Sequence, residues 1–383
     1  MVKYIHERHD WPAFVWSDEA LAAPLAAVRH RQGRLIGRME ALGFDLRSEA
    51  VLQTLTEDVV KSSEIEGEVL NKDQVRSSVA RRLGMDIGGL TRADREVDCV
   101  VDMLLDATQS YQKPLTRKRL FSWHASLFPT GRSGMRRIRV GGFRGDRTGP
   151  MQVVSGPLGR ERVHYQAPAA RRLEGETRVF LDWFEARATS DPVIRAGIAH
   201  LWFVTLHPFD DGNGRIARAI ADMALARSEH SPQRFYSMSA QIRAERDSYY
   251  AILEKTQKGG LDVTSWLEWF LAGLDRALAA AETALASVLT KARFWDHSRS
   301  TSFNERQRLV LNRLLNGFEG KLTTSKWAAL AKCSQDTALR DIEDLVLRGV
   351  LVKDAAGGRS TSYSLVLAGV EKPQRAVLDR TPR

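Results

Sequence analysis

Hydrophobic side chains recur every three and four residues along most of the chain, the spacing that places them on one face of an α-helix. The predicted helices are Glu19–Leu42, Glu49–Ser62, Ala93–Tyr111, Thr116–Phe128, Arg171–Arg187, Val193–Leu206, Arg215–Ser228, Met238–Gln257 and Val263–Val288. We therefore expect a mainly α-helical protein.

One glycine-rich stretch, Gly131–Pro168, interrupts this helical pattern. It contains three short runs with β-like character, Arg137–Val140, Gln152–Ser155 and Arg162–Tyr165. The sequence Gly156-Pro157-Leu158-Gly159 separates the last two runs and has the composition of a turn. These features predict a β-hairpin flanked by helices.

A second change of pattern follows the polar segment Arg293–Ser302. Beyond it the pattern predicts three helices and two strands, at Glu305–Leu315, Thr323–Lys332, Ser334–Arg348, Val350–Lys353 and Ser362–Val366. This order is typical of a winged helix-turn-helix. The final residues, 371–383, are expected to be a disordered tail.

Composition narrows the class of protein. The chain has 383 residues, enough for two or three domains. No apolar run reaches the length of about 18 residues that a membrane helix needs, and the N-terminus has no apolar signal sequence. Two distant cysteines, Cys99 and Cys333, suggest buried thiols rather than a disulfide or metal site. We expect a cytoplasmic protein with no membrane partner, and its net charge of +10 suits an anionic ligand.

The segment from His207 to Arg218 combines residue types suited to phosphoryl-group chemistry. Gly212–Gly214 allows backbone amides to turn inward where the next helix begins, and such helix N-termini bind phosphate. Arg215 and Arg218 lie three residues apart, so they share one face of that helix. Asp211 offers an oxygen ligand that suits Mg²⁺, and His207 can accept a proton near neutral pH.

This segment, H-P-F-D-D-G-N-G-R-I-A-R, resembles the signature of the Fic family, H-x-F-x-(D/E)-G-N-G-R-x-x-R, at every specified position. The resemblance implies a helical Fic fold and transfer of AMP from ATP to a protein hydroxyl. His207 would be the base that deprotonates the target hydroxyl, and Asp211 would bind Mg²⁺. Phe209 would anchor the loop in the core.

The same resemblance assigns the phosphate-binding residues. Gly212, Asn213 and Gly214 would form an anion hole for the α- and β-phosphates, helped by Arg215. Arg218 would contact the γ-phosphate. The related Doc proteins, which transfer phosphate, carry alanine and lysine near the places of the two glycines, so the glycines favour AMP transfer.

An upstream segment, Ser62-Ser63-Glu64-Ile65-Glu66-Gly67, resembles the inhibitory motif (S/T)-x-x-x-E-(G/N) of Fic proteins with an N-terminal inhibitory helix. Ser62 and Glu66 share a helix face, and Gly67 would end that helix. The resemblance implies that Glu66 pairs with Arg218 and turns the α-phosphate of ATP away from attack. The alternative is a solvated acidic cluster at a helix end.

Two further regions of the central domain have expected roles. The hairpin resembles the Fic flap, which holds a target segment by strand pairing, so Val153, Val154, Val163 and His164 would contact the target. Arg136, Arg137, Arg139, Arg144 and Arg147 either attract an acidic ligand or form a solvated face. Family resemblance also places adenine near Tyr249 and Tyr250, which would otherwise be core aromatics.

Both ends of the chain allow more than one interpretation. The aromatic segment Tyr4–Trp16 is expected to pack on the inhibitory helix rather than bind metal. In the winged helix, Lys332, Arg340 and Arg359 suit DNA phosphates, whereas acidic residues on the recognition helix oppose DNA. Protein binding or a homodimer is the alternative.

The resulting division has four parts. They are an N-terminal helical extension (1–45), a Fic domain (46–290) with inhibitory helix (about 47–67) and flap (about 150–166), a winged-helix domain (301–370) and a tail (371–383). We expect an autoinhibited, Mg²⁺- and ATP-dependent protein adenylyltransferase that transfers AMP to a Ser, Thr or Tyr hydroxyl of a target protein, which could be the protein itself. The alternatives are a nucleotide-sensing DNA-binding regulator and removal of AMP by the same site.

Overall fold

Two compact units make up the structure, Met1–Ala281 and Glu282–Arg383. The computed structural model describes residues 3–42, 44–85, 92–146, 149–157, 160–187, 189–298, 301–315, 320–354 and 361–366. Both units are mainly helical, which confirms the predicted fold class at that level. The predicted tail 371–383, Arg147 and the wing residue Arg359 lie outside the described residues.

Helices make up most of the first unit. They are α1 (Asp18–Glu40), α2 (Phe44–Ile65), α3 (Lys72–Arg82), α4 (Arg95–Gln109), α5 (Arg117–Leu127), α6 (Leu173–Glu185), α7 (Pro192–Leu206), α8 (Asn213–Glu229), α9 (Met238–Ala244), α10 (Arg246–Gln257) and α11 (Thr264–His297), whose last part belongs to the second unit. Two antiparallel hairpins join them, β1 (Arg132–Ser133) with β2 (Arg136–Arg137) and β3 (Gln152–Ser155) with β4 (Arg162–Gln166). Among the helices in the described ranges, none is long and apolar enough to cross a membrane.

The core of the first unit is built around α7, in which every residue except Pro192 and Arg195 is buried. Asp191 caps this helix by accepting the Val193 N–H, and the proline occupies its first turn. A glycine, Gly197, lets α11 approach closely, since a β-carbon there would lie 2.9 Å from a Leu267 methyl group. This apolar helix therefore fixes the position of whatever follows Leu206.

Helix α3 was not predicted from the sequence. Its N-terminus is capped by Asn71, whose side chain accepts two backbone N–H groups. Its buried face contains Ser77 and Ser78 beside Val75 and Val79. Because two of the five buried residues are serines, no apolar period marks the helix in the sequence.

Two predicted elements differ in the structure. The single helix expected at Met238–Gln257 is broken at Glu245, whose backbone is not helical (φ −113°, ψ 32°) and whose carboxylate pairs with Arg276. The prediction of a strand at Arg137–Val140 is wrong as well. Gly134 makes a tight turn with φ +53° that pairs β1 with β2 instead, and the Arg139 N–H donates to Asp210.

The N-terminal aromatic segment packs on elements other than the expected inhibitory helix. Tyr4 and His6 lie against Tyr165 of β4, with ring centroids 5.3 and 5.8 Å away. Phe14 meets Trp202 of α7 edge to face, at a centroid distance of 5.5 Å. The described ring contacts therefore tie this segment to the second hairpin and to the central helix.

The second unit contains three helices and a hairpin, α12 (Glu305–Leu315), α13 (Thr324–Ala331), α14 (Gln335–Leu347), β5 (Leu351–Lys353) and β6 (Tyr363–Leu365). Its core is centred on the buried Trp327. Asp341 of α14 is buried and paired with Arg306, so this acidic side chain does not repel a ligand at the surface. Lys332 ends α13 and Arg340 lies on α14. A winged-helix identity for this unit stays a prediction.

A buried cluster of charges connects α2 to α8. Asp58 of α2 and Asp222 of α8 lie close to the fully buried guanidinium of Arg234, which donates to Asp222 at 3.0 Å. The Asp58 carboxylate also accepts a hydrogen bond from Ser237. Desolvation, together with the nearby Asp222, raises the pKa of Asp58 to about 8. At neutral pH the folded protein therefore holds a proton that the unfolded chain would release.

Replacing Asp58 by asparagine should change how stability depends on pH. The folded-state pKa of Asp58 is raised, so its contribution to the free energy of unfolding is complete below pH about 4 and is lost towards pH about 8. Asp58→Asn should therefore gain stability relative to wild type as the pH rises across this window. Urea unfolding followed by circular dichroism at several pH values measures this difference. The control is Asp182→Asn, because Asp182 is exposed. The prediction would be contradicted if the difference in unfolding free energy between wild type and Asp58→Asn did not depend on pH.

Candidate active site

The turn between α7 and α8 has an unusual backbone. His207 directly follows α7 and has left-handed torsions (φ +48°, ψ +55°), while its N–H still donates to Phe203. Gly212, which precedes α8, also has positive φ (+79°). A β-carbon at Gly212 would lie 2.9 Å from the Phe128 ring, so both torsion and space favour glycine there. These two residues turn the chain through the short loop that carries the motif.

Hydrogen bonding assigns roles to the two nitrogens of His207. Nδ1 lies 3.2 Å from the carbonyl oxygen of Val204, so this nitrogen is the donor and Nε2 is left as the basic nitrogen. Arg144 donates to the carbonyl of His207 at 2.7 Å and holds the residue in place. Desolvation lowers the pKa of His207 to about 4, with the Arg144 charge acting in the same direction. The imidazole is therefore neutral at physiological pH and can accept a proton.

The side chain of Asn213 closes the loop on itself. Its Oδ1 accepts the Phe209 N–H at 3.0 Å, and its Nδ2 donates to the Phe209 carbonyl at 2.9 Å. The Phe209 ring is fully buried and stacks on His124 at a centroid distance of 4.2 Å. Since the Asn213 side chain is used in this way, only its backbone N–H, at the start of α8, can serve an anion.

Asp211 lies on the exposed side of the same loop. One carboxylate oxygen accepts the Gly212 N–H at 2.6 Å, and the other accepts a hydrogen bond from the Ser133 hydroxyl. These two bonds fix the orientation of a half-buried carboxylate. The neighbouring Asp210 accepts the Arg139 N–H and has a structural role.

Arg218 is buried and connects α8 to the end of α2. Its Nε donates to the Ser62 hydroxyl at 2.9 Å, and its Nη2 donates to the Ser62 carbonyl at 2.8 Å and to Glu66 at 2.9 Å. The Arg218 side chain is 3% exposed and that of Glu66 is 29% exposed. The structure therefore brings together the three residues that the sequence grouped as an inhibitory contact.

Arg215 lies one turn earlier on α8 and meets a different carboxylate. Its Nη1 is 2.5 Å from Glu68 Oε2, and its guanidinium lies over the Phe128 ring, 5.1 Å from the centroid. Within the described part of the chain, Arg215 Nε and Arg218 Nη1 are buried without a hydrogen-bond acceptor. Such donors indicate that an acceptor from a ligand belongs here.

A cavity of about 710 Å³ opens beside this loop. It is lined by the loop itself, by β3 and β4 and by α10, and the lining includes Glu66, His207, Asp211, Gly214, Tyr250 and Glu254. The predicted base, the predicted metal ligand and the predicted inhibitory residue therefore share one space large enough for a nucleotide.

The second hairpin forms one wall of the cavity. Val154 pairs with Val163, Val153 pairs with Tyr165, and a register shift lies between Val153 and Val154. His164 Nδ1 donates to the Glu254 carboxylate of α10 at 2.6 Å. Hydrogen bonds, of which the bond from Lys258 is the strongest, lower the pKa of Glu254 to about 2, so its negative charge ties the hairpin to α10.

The two tyrosines of α10 have different surroundings. Tyr249 is 1% exposed, and its hydroxyl bonds to His200 at 2.8 Å, so most of it belongs to the core. Tyr250 is half-buried, and Arg246 lies 5.1 Å above its ring. Of the two, Tyr250 presents more surface to the cavity.

Several residues of the site were not found from the sequence. Ser133, His124 and Glu254 lie in other elements, and nothing in the sequence near them marks their contact with the motif. Arg144 belongs to the predicted arginine group, but it is 3% exposed and donates to the backbone carbonyls of His207 and Pro168. The solvated-face interpretation is therefore wrong for Arg144, while Arg136, Arg137 and Arg139 are exposed.

Family comparisons match two parts of the chain. Residues 114–225, which contain α5 to α7, both hairpins and the motif, match the Fic/DOC family. Residues 4–85, which contain α1 to α3, match a domain of unknown function, DUF4172. The motif loop and the Glu66 segment therefore come from regions that match two different family models.

Curated relatives match over a similar stretch. The chain is 34% identical over 115 residues to protein adenylyltransferase fic-1 of Caenorhabditis elegans, covering 28% of this chain and 21% of the relative. It is 29% identical over 117 residues to protein adenylyltransferase Fic of Nematostella vectensis, covering 30% and 25%. The match thus spans about a fifth to a quarter of the length of these relatives.

Solved structures share the fold. A Fic family protein from Desulfovibrio desulfuricans aligns with a TM-score of 0.51 at 21% identity, over 93% of this chain and 97% of that chain. A Fic domain containing signaling protein from Bacteroides thetaiotaomicron aligns with a TM-score of 0.51 at 19% identity, over 68% and 97%. At these identities the likeness concerns the fold.

Three buried imidazoles should stay neutral well below the usual range. Desolvation lowers the pKa of His207 and of His124 to about 4 and that of His200 to about 3. NMR signals of these rings should therefore not titrate between pH 8 and about 5.5. The same signals in the urea-unfolded chain, which should titrate near pH about 6.5, are the control. A midpoint above pH 6 for His207 in the folded protein would contradict its desolvation.

Proposed function

We propose that this protein transfers AMP from ATP to a hydroxyl group of a target protein, and that Glu66 restrains the transfer. The observation that carries the proposal is one cavity lined by a neutral histidine and by the N-terminus of α8, the helix that also carries two buried arginines. The Fic/DOC match over residues 114–225 and the adenylyltransferase relatives support the same chemistry.

The phosphates of ATP would lie at the N-terminus of α8. Gly212, Asn213 and Gly214 begin that helix, where backbone N–H groups have no acceptor within the helix. Arg215 and Arg218 would add charge-assisted hydrogen bonds to phosphate oxygens. Their two N–H groups without an acceptor support this assignment.

His207 would act as the general base. In the proposed step, the target hydroxyl gives its proton to Nε2 while its oxygen attacks the α-phosphorus of ATP. A new oxygen–phosphorus bond replaces the bond to the bridging oxygen, and pyrophosphate leaves. The bond from Nδ1 to Val204 keeps Nε2 basic and holds the ring in place throughout.

The residues present fit a Mg²⁺ ion that is shared with the nucleotide. Asp211 has a half-buried carboxylate with fixed orientation, and the described residues contain no cluster of three or more side chains that would hold a metal alone. Mg²⁺ commonly binds one or two carboxylates together with substrate phosphates. Asp211 would therefore hold the ion, which would neutralise phosphate charge.

The hairpin would hold the target as an added strand. Val153, Val154 and His164 line the cavity, Val163 pairs with Val154, and Val154 is 47% exposed. Strand addition recognises mainly the backbone, so it would align a target hydroxyl with His207 without requiring one target sequence. Tyr250 would contact the adenine more than the buried Tyr249 does.

Inhibition would follow because the Glu66 carboxylate pairs with Arg218 and keeps this arginine from the phosphate. Removing the carboxylate leaves Arg218 buried without a counter-charge, which favours its pairing with a phosphate. The same site could run the reaction in the direction of AMP removal. Among the described residues of the second unit, no observation favours a regulator that senses nucleotide and binds DNA, whereas the geometry of the site supports AMP transfer.

Self-labelling with α-labelled ATP and Mg²⁺ tests the proposal. Glu66→Gly should carry at least about tenfold more label than wild type, because the variant frees Arg218. His207→Ala and the double variant should carry none. The matched control is Glu64→Gly, because Glu64 pairs with Lys61 at 2.9 Å and not with an α8 arginine. Labelling of the His207→Ala variant would exclude this residue as the base, and equal labelling of both glycine variants would exclude a specific role for Glu66.

A further inference from the structure

We propose that Glu68 is a second inhibitory carboxylate, which occupies Arg215 as Glu66 occupies Arg218. The inference rests on the proposed function, because it concerns access of a nucleoside triphosphate to the same arginines. Productive binding of the triphosphate would then require two ion pairs to open.

The contact between Glu68 and Arg215 is direct. Glu68 Oε2 lies 2.5 Å from Arg215 Nη1, and the Arg215 side chain is 2% exposed. The Phe128 ring covers one face of the guanidinium. Arg215 therefore has little freedom to turn towards a phosphate while the carboxylate stays in place.

One short turn positions both carboxylates. The N–H groups of Glu66 and Glu68 both donate to the carbonyl of Ser63, at 3.1 and 3.0 Å. Between them, Gly67 has φ +86°, a torsion that glycine adopts readily. This turn brings two carboxylates to two arginines that lie one helical turn apart on α8. It is itself held by Arg246, which donates to the Ile65 carbonyl at 3.0 Å.

The two pairs differ in strength. The Glu68 side chain is 45% exposed, against 29% for Glu66, so solvent weakens the Glu68 pair more. Desolvation raises the pKa of Glu68, opposed by the charge of Arg215 and reinforced by the negative charges of Asp211 and Glu66. The ion pair with Arg215 places this carboxylate where a phosphate would bind. Removal of Glu68 should therefore change the affinity for ATP modestly, and by less than removal of Glu66.

An alternative role predicts the opposite result. If Glu68 held Arg215 in the orientation that phosphate needs, removing the carboxylate would weaken ATP binding. The sign of the change in affinity therefore separates competition from positioning.

The experiment measures the dissociation constant of ATP with Mg²⁺ by calorimetry, in a His207→Ala background that prevents turnover. Glu68→Gln should bind ATP about three- to tenfold more tightly, and Glu68→Asp should show a smaller gain because its carboxylate is retained but shorter. The gain should persist when Glu66→Gly is also present. The matched control, Glu64→Gln in the same segment, should bind ATP as the parent does. Thermal unfolding of each variant verifies that it is folded.

The proposal would be overturned if Glu68→Gln bound ATP with unchanged affinity or more weakly than the parent. Self-labelling of the His207-containing Glu66→Gly and Glu66→Gly/Glu68→Gln proteins separates this proposal from the proposed function. If ATP binds more tightly but neither protein carries label, AMP transfer fails while the competition by Glu68 stands. If both carry label and ATP affinity is unchanged, AMP transfer stands and the role of Glu68 falls.

Discussion

A buried guanidinium needs partners, and Arg218 takes them from a helix far away in sequence. Its hydrogen bonds to Ser62 and Glu66 join α8 to the end of α2. Breaking a buried pair by removing one member is costly, because the remaining charge is left unpaired. The position of α2 therefore depends on the same arginine that we propose for phosphate binding, and under that proposal nucleotide and α2 would compete for one side chain.

Two of the described polar contacts of α2 lie near α8. Glu66 meets Arg218 at its end, and Asp58 lies in the buried cluster with Asp222 and Arg234 near its middle. Only the contact at the end lies beside the cavity. Opening the end while the middle stays packed would free Arg218 without unfolding the helix, because the buried cluster keeps its own partners.

The motif loop acquires its shape from groups on three sides. Asn213 bonds to the Phe209 backbone, the ring of Phe209 stacks on His124, and Arg144 bonds to the carbonyl of His207. These contacts hold His207 in a left-handed conformation, which few residues other than glycine adopt readily. The cost of that conformation is offset by packing around the loop, and the result is a histidine that lines the cavity.

The sequence by itself determined what depends on neighbouring positions along the chain. Periodic apolar residues predicted most helices, and the residues from His207 to Arg218 could be grouped as one chemical unit because a loop and one helical turn hold them together. The sequence predicted the pairing of Glu66 with Arg218 only through resemblance to a family.

The tertiary structure alone decided which distant groups complete the site. Ser133 orients Asp211, Arg144 holds His207 and Glu68 meets Arg215, and each of these contacts joins elements whose approach is set by packing around α7. Helix α3 and the break at Glu245 escaped prediction for the same reason, since their partners, rather than their local pattern, stabilise them.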